Sequence, residues 1–376
     1  MKKPVDLLII AGEPSGDAHG QKLIQNLKKA RPSLHIAAVG GPNIRKEEVE
    51  ILLPMEKLSV MGFFDVFLAL PRLIYLWRSL RKKIETLQPK AVLFIDYPEF
   101  NLRLARSLKK RGFSGKNIHY ICPSVWAWGK KRIKIMEKAL DLLLTIFPFE
   151  EDLFTKSSLT ACYTGNPSQI AVQSHKKNGA FLEKYPSNIP LLGLFPGSRK
   201  KEIIRNLPWQ IRAAKKMGQH AAIALSDKKH QKLIENILKK EEFKADLIFP
   251  EERFDLMERV DQAIATSGTV TLELALFSTP TLVVFAIRTV DYLIAAKCLG
   301  IDLPFYCIVN ILEEKAIFPE LFGPNLTPSR IDYWTKQFLQ NPQALARCKE
   351  DLEMVKKKLT KKSASLSKRI LLEIGV

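Results

Sequence analysis

Residues that bind metals or form disulfides are scarce in this chain of 376 residues. Its five cysteines, Cys122, Cys162, Cys298, Cys307 and Cys348, are odd in number, widely spaced and without a C-x-x-C pair. That pattern argues against a disulfide framework or a structural zinc site and fits a reducing cytoplasm. The six histidines are scattered, and H-E-x-x-H, D-x-D and G-x-S-x-G are all missing. A zinc hydrolase, a serine hydrolase and a sugar transferase that holds its donor through a divalent metal therefore lack a sequence basis. Neither G-x-G-x-x-G nor a Walker loop is present, so dinucleotide and NTPase readings have no support. No apolar run reaches the roughly 18 residues needed to cross a bilayer. The apolar stretch after Lys2-Lys3 ends at Gly12-Glu13 without a small-residue cleavage site, so it reads as a strand and not a signal peptide.

Acidic charge is also short. Against 59 basic residues stand 39 acidic ones, a net charge of +20 that favours polyanions such as phosphorylated sugars or an anionic lipid surface. The bases are dispersed in pairs and triplets along helical stretches, and no nucleic-acid-binding module is recognisable, so nucleic acid is not the expected partner.

What is abundant is apolar residue content, 46%, spread along the whole chain, enough for a core in each of two domains of ordinary size. Short runs rich in Ile, Val and Leu alternate with amphipathic stretches, the pattern of βα units in a parallel sheet. In the first half the strands are expected at 6–11, 36–39, 91–95, 118–121 and 142–146. In the second half they are expected at 191–195, 221–225, 247–249, 262–265 and 281–285. The fold class is thus α/β, with two Rossmann-like, doubly wound parallel sheets: residues 1–165, then 166–345, with a linker near 165–190 and the ligand site expected in the cleft between the halves. The helices of 346–376 either pack back on the first domain or join a partner subunit in a homodimer.

One segment breaks the alternation. Residues 61–77 (MGFFDVFLALPRLIYLW) carry Phe63, Phe64, Phe67, Leu68 and Leu70 and run into Arg78, Arg81, Lys82 and Lys83. Too interrupted to span a membrane, the segment suits the interfacial plane of an anionic leaflet, or else a buried helix at a domain or subunit contact.

Five loops at strand ends carry chemistry. AGEPSGD at 11–17 opens a helix near Asp17; it is a tight turn with a capping Ser or Asp, or it presents Glu13 over the ligand crevice. IDYPEFN at 95–101 delivers Asp96 from a rigid apolar strand, either as a base or as a turn former, with Asn101 as the cap of the next helix. Trp126 and Trp128 lie beside Lys130 to Arg132, suited to an acylated sugar phosphate or to packing. In the second half, Gly197, Ser198 and Arg199 lead into a helix, where free amides and a bidentate guanidinium suit a diphosphate. Ser267, Gly268 and Thr269 start another helix, with Glu273 one turn in and suited to ribose hydroxyls.

Six motifs stand in register over nearly the whole length: AGEPSGD (11–17), MGFFDV (61–66), IDYPEFN (95–101), PSVWAW (123–128), PGSR (196–199) and SGTVTLE (267–273). Together they resemble lipid-A-disaccharide synthases. The resemblance implies a GT-B fold and metal-independent, inverting transfer from UDP-2,3-diacylglucosamine to 2,3-diacylglucosamine 1-phosphate, giving the β-1,6-linked disaccharide and UDP. It implies that Asp96 is the base for the acceptor 6-hydroxyl, that Glu13 and Ser15 line the site, and that Arg199 binds the UDP phosphates. It places Asn310 and Glu320 near the nucleotide and, because both substrates carry acyl chains, favours membrane contact by the 61–77 segment; Trp126, Trp128 and Arg132 are assigned to the acceptor and membrane side on their local pattern. No cofactor is implied, since the UDP-sugar is a substrate, and no metal. It also implies a peripheral enzyme on the inner face of the bacterial inner membrane. A UDP-N-acetylglucosamine 2-epimerase would share paired phosphate cradles but would need neither the apolar segment nor an acceptor site.

Overall fold

Runs such as Leu7–Ala11 (LLIIA) and Ala91–Ile95 (AVLFI) are buried at every position, as strands of a parallel sheet covered on both faces are. The computed structural model describes residues 4–58, 63–126, 131–287, 304–360 and 363–376; of residues 63–70 and 131 it describes the backbone alone. Among these residues the strands form two sheets in which every pairing is parallel.

The first sheet holds β1 (Leu7–Ala11), β2 (Ile36–Gly40), β3 (Glu50–Pro54), β4 (Ala91–Ile95), β5 (Lys116–Tyr120), β6 (Leu142–Thr145) and β7 (Thr160–Tyr163), in the order β3-β2-β1-β4-β5-β6-β7. The second holds β8 (Leu191–Phe195), β9 (His220–Ala224), β10 (Asp246–Ile248), β11 (Gln262–Thr266), β12 (Thr281–Phe285) and β13 (Glu320–Phe322), in the order β10-β9-β8-β11-β12-β13. In each, the strand order reverses direction once, between β1 and β4 and between β8 and β11. Loops leaving the carboxyl ends of those strands diverge to opposite faces and leave a crevice there.

Both sheets contain the expected central strands. Three edge strands, β3, β7 and β13, were not anticipated from the pattern. An edge strand is covered less completely: these three are partly exposed at most positions and each includes a polar residue, so none is the uninterrupted buried apolar run of a central strand.

The chain divides into two units, residues 1–167 with 361–376, and residues 168–360. The division falls after Pro167 and after Thr360. The helix Pro342–Leu359 therefore stays with the second unit, burying Cys348, Leu352, Val355 and Leu359. The last helix, Leu366–Glu373, returns to the first unit, where Ile370 and Ile374 join the core around Leu7, Ile9, Leu23 and Ile24. A bond from Ala364 N to Tyr163 O (2.9 Å) seats it beside β7.

The segment expected as a linker contains two helices, Pro167–Gln173 and Gly179–Lys184. Its end is clamped by buried Arg259, whose guanidinium donates to the carbonyls of Tyr185 (2.6 Å), Pro186 (2.6 Å) and Ile189 (2.5 Å). Proline and polar residues in the sequence conceal this order, because what holds the segment is a cation far along the chain.

The helix spanning Phe63–Leu87 contains Pro71. From Pro71 onward it is two-faced: Leu80 and Ile84 are in the core, while Ile74 and Tyr75 are exposed alongside Arg72 and Arg78. Among the described residues no helix is long and apolar enough to cross a membrane.

Candidate functional site

In the first unit the crevice at β1 and β4 is built from two sharp turns. After β1, Gly12 approaches the next loop so closely that a Cβ there would lie 2.5 Å from the Tyr97 ring. Glu13 then takes an extended conformation as the N-cap residue of the helix Pro14–Ala30, with Pro14 in the first turn, where its missing N–H costs nothing. The helix starts three residues earlier than expected, at Pro14 and not near Asp17. Glu13 is half-buried and Ser15 exposed. Asp17, in the same motif, is buried and faces away from chemistry. Its carboxylate accepts from the amides of Gly41 (2.6 Å), Asn43 (2.8 Å) and Ile44 (3.2 Å), capping the short helix Pro42–Arg45.

After β4 the backbone turns through two successive left-handed residues, Asp96 (φ 49°) and Tyr97 (φ 48°). Non-glycine residues rarely adopt this region, at a cost of roughly 1–3 kcal/mol each, and such strain clusters at functional sites. The turn is held from both sides: Asp96 N donates to Tyr120 O (3.0 Å), and Asn101 Nδ2 donates to Asp96 O (2.7 Å). Asn101 is therefore not the cap of its helix, which begins at Pro98; it lies inside and braces the turn. Burial raises the Asp96 pKa, partly offset by a bond from the Tyr97 amide. Tyr97 is raised too, by burial and then by the Glu13 carboxylate, which places Glu13 beside the same turn.

Sequence reasoning missed the neighbours of this turn. Ile121, just past β5, has φ 73°, an outlier for a β-branched side chain. Below the following loop lies Glu150, 1% exposed, accepting from the amides of Ile146 (3.1 Å) and Phe147 (3.0 Å) and from Trp126 Nε1 (3.3 Å). Burial pushes its pKa up to about 7. A buried carboxyl that anchors a tryptophan loop is invisible in the motif FPFEED, where an acid looks like a helix start. Arg132 pairs with Glu99. Trp128 and the side chains of Phe63, Phe64, Phe67, Leu68 and Leu70 lie outside the described residues.

In the second unit the crevice at β8 and β11 is lined by the two expected loops. Gly197 has φ 108°, and Arg199 is the N-cap residue of the helix Lys200–Met217. The end of that helix already holds an anion. Glu202 Oε2 accepts from the amides of Ser198 (3.1 Å) and Arg199 (3.2 Å), and Glu202 Oε1 accepts from Arg199 Nη1 (2.7 Å). Ser198 and Arg199 are exposed, and the groups engaged by Glu202 here, two amides at a helix start and a guanidinium, are of the kind that also suit a phosphate.

Across the crevice, Ser267 Oγ donates to Tyr306 O (3.3 Å), while Gly268 and Thr269 stand exposed at the start of the helix Thr269–Leu276. Glu273 is buried and accepts from Arg253 Nη2 (3.1 Å).

Asn310 and Glu320 come together but point inward. Asn310 is fully buried; its Nδ2 donates to Phe318 O (2.7 Å) and Glu320 Oε1 (2.6 Å), and its Oδ1 accepts from Ile317 N (2.9 Å) and Phe318 N (2.8 Å). An amide side chain has two donors and two acceptor positions, so all of its capacity is used within the protein. Glu320 also accepts from the amides of Tyr306 (2.8 Å) and Cys307 (3.1 Å), and burial raises its pKa. The pair thus shapes the segment around Tyr306, whose ring stacks on Phe322 at 3.9 Å. Among the described residues no group of three side chains suited to a metal comes together.

The model of the lipid-A-disaccharide synthetase family matches residues 7–374. The chain is 40% identical over 319 residues to a lipid-A-disaccharide synthase of Chlamydia pneumoniae, an alignment covering 83% of this chain and 53% of that one. It thus spans about half the length of the chlamydial relatives it matches. A lipid-A-disaccharide synthase of Syntrophus aciditrophicus strain SB is 31% identical over 360 residues, 94% of this chain and 93% of that one. Among solved structures, the UDP-GlcNAc 2-epimerase of Neisseria meningitidis superposes with a TM-score of 0.58 at 13% identity, covering 95% of this chain and 100% of that one. That likeness speaks for the fold alone, the GT-B type with two Rossmann-like sheets; the family model and the curated relatives separate synthase from epimerase.

Proposed function

Because the chain belongs to the lipid-A-disaccharide synthetase family, we propose that it is an inverting glycosyltransferase that joins UDP-2,3-diacylglucosamine to 2,3-diacylglucosamine 1-phosphate. The observation that carries the reading is Asp96, a carboxyl on a strained turn at the strand-order reversal of the first sheet, with a raised pKa. A general base works best when its pKa approaches the working pH. Asp96 takes the proton of the acceptor 6-hydroxyl as that oxygen bonds to the anomeric carbon, and the bond from that carbon to the diphosphate breaks. One displacement inverts the configuration and requires no covalent enzyme intermediate. Glu13 and Ser15 line the acceptor side. Arg199, Gly197, Ser198 and the helix start at Ser267, Gly268 and Thr269 receive the UDP phosphates. They offset the negative charge that develops there, so no metal and no cofactor is needed.

The enzyme acts as a peripheral protein on the inner face of the bacterial inner membrane. Exposed Ile74 and Tyr75 beside Arg72 and Arg78, on the helix that also carries Phe63, Phe64, Phe67, Leu68 and Leu70, support contact with an anionic leaflet. Nucleic acid is not a partner in this reading.

The test is an assay in detergent and EDTA with both acylated substrates, following UDP and disaccharide by mass spectrometry. Disaccharide that requires both substrates supports the reading. UDP release without disaccharide, or conversion of UDP-N-acetylglucosamine to its 2-epimer, overturns it.

A further inference from the structure

The helix Lys200–Met217 packs on the second sheet through Ile203, Leu207, Ile211 and Ala214, yet polar residues run along it at a spacing of four: half-buried Glu202, then buried Asn206 and Gln210. Residues four apart lie one above the next on a helix, so these form a row. Each touches the carboxyl end of the sheet. Glu202 holds the amides of Ser198 and Arg199 after β8. Asn206, 1% exposed, accepts from Ala286 N just past β12 (2.7 Å). Gln210, fully buried, donates from Nε2 to Phe195 O, the last residue of β8 (3.0 Å), and to Thr266 Oγ1, the last residue of β11 (3.4 Å).

The Gln210 contact spans the point where the strand order reverses, and it joins the residues from which both anion loops start. It is retained at a cost, since Gln210 Oε1 is buried and finds no hydrogen-bond partner among the described residues. A buried acceptor left unpaired is destabilising. A polar group kept in a helix-to-sheet seam with half its capacity unsatisfied calls for an explanation other than stability.

We propose that Gln210 is a positioning residue for the donor diphosphate: by tying the end of β8 to the end of β11 it sets the spacing between the Gly197–Arg199 and Ser267–Thr269 loops, with Asn206 holding the β12 end from the same row. The inference rests on the donor reading of those loops given above. Two anion-binding loops act together only when their amides converge on one ligand, and a misplacement of about 1 Å is enough to lose much of the gain. Gln210 touches no ligand in this scheme; it acts through the two loops.

The test is Gln210→Met, which keeps length and bulk and removes the donor. It exchanges the orphan Oε1 for an orphan Phe195 carbonyl, so the melting temperature is expected to stay within about 3 °C of wild type. UDP affinity by calorimetry is expected to fall about tenfold, the effect of losing the aligned pair of loops. The KM for the acylated acceptor is expected to stay within about twofold. A folded variant that binds UDP within twofold of wild type, or that loses donor and acceptor affinity equally, overturns the proposal. Should Gln210→Met fail to fold, Thr266→Val decides: it removes the other end of the bridge at constant shape, and a roughly threefold loss of UDP affinity supports the proposal while none refutes it. Wild-type protein that fails to bind UDP would instead refute the donor reading, and this inference with it.

Discussion

Asn101 donates its side-chain amide to the main-chain oxygen of Asp96 at 2.7 Å, from within the helix that follows the turn. The carboxyl and its brace thus come from one short stretch, and the strain of the left-handed turn is held by a neighbour five residues on. Asp96→Asn is expected to keep UDP binding and lose turnover by about a hundredfold or more, the usual range for a lost general base. Asn101→Ala is expected to lower kcat by about tenfold while leaving UDP affinity in place, since it loosens the aim of the same carboxyl. Steady-state kinetics alongside calorimetry check both, and near-normal turnover of Asp96→Asn would remove it from the role of base.

Gly197 combines φ 108° with a Cβ position 2.8 Å from Glu202 Oε2. Gly197→Ala therefore strains the backbone and displaces the carboxylate that caps the helix, at about 1–3 kcal/mol. Both a lower urea midpoint and weaker UDP binding are expected. A stable variant with wild-type affinity would mean that the loop does not hold phosphate.

Asn310→Ala strands two amides and a carbonyl and takes one of its two donors from Glu320 Oε1, which keeps the Cys307 amide. The expected loss is roughly 3–5 kcal/mol of stability, read from urea unfolding. A loss of UDP affinity with unchanged stability would instead make Asn310 a direct ligand contact.

Trp126 reports on Glu150. With the carboxyl pushed up to about 7 by burial, the indole N–H faces an ionised acceptor above that pH and a protonated one below it. Around it stand the Ile146 and Phe147 amides and the thiol of Cys122, itself raised by burial and by Glu150. Tryptophan emission is expected to titrate with a midpoint near 7, and Glu150→Gln should abolish that transition. A pH-independent spectrum between 5.5 and about 8.5 in the wild type would contradict the assignment.

His119, fully buried in β5, is lowered to about 4 by burial. The unfolded chain protonates near 6.5, so between those values it binds more protons than the folded one. Its contribution to stability is complete above 6.5 and is lost as pH falls towards 4. His119→Phe is expected to gain on the wild type by up to about 3 kcal/mol between pH 7.5 and 4.5, measured by urea unfolding at both. An unchanged difference between the two proteins would show that His119 does not titrate on unfolding.

The sequence alone determined the two-sheet class, because short apolar runs such as LLIIA and AVLFI alternate with amphipathic helical stretches, the pattern of a parallel sheet covered on both faces. It also placed Asp96, Glu13, Arg199 and Ser267 to Thr269 at strand ends, since each motif directly follows such a run. Tertiary structure decided what depends on contact between distant segments: the half-exposed edge strands β3, β7 and β13, the return of Leu366–Glu373 to the first core, and the Arg259 clamp on residues 185–189. It also decided the orientation of side chains that the motifs name without aiming. Asn310 faces inward because four partners from 317–320 surround it, and Glu150 and Gln210 matter because folding brings Trp126, Phe195 and Thr266 to them. Periodicity records which side of an element is apolar; hydrogen-bond partners far along the chain leave no period behind.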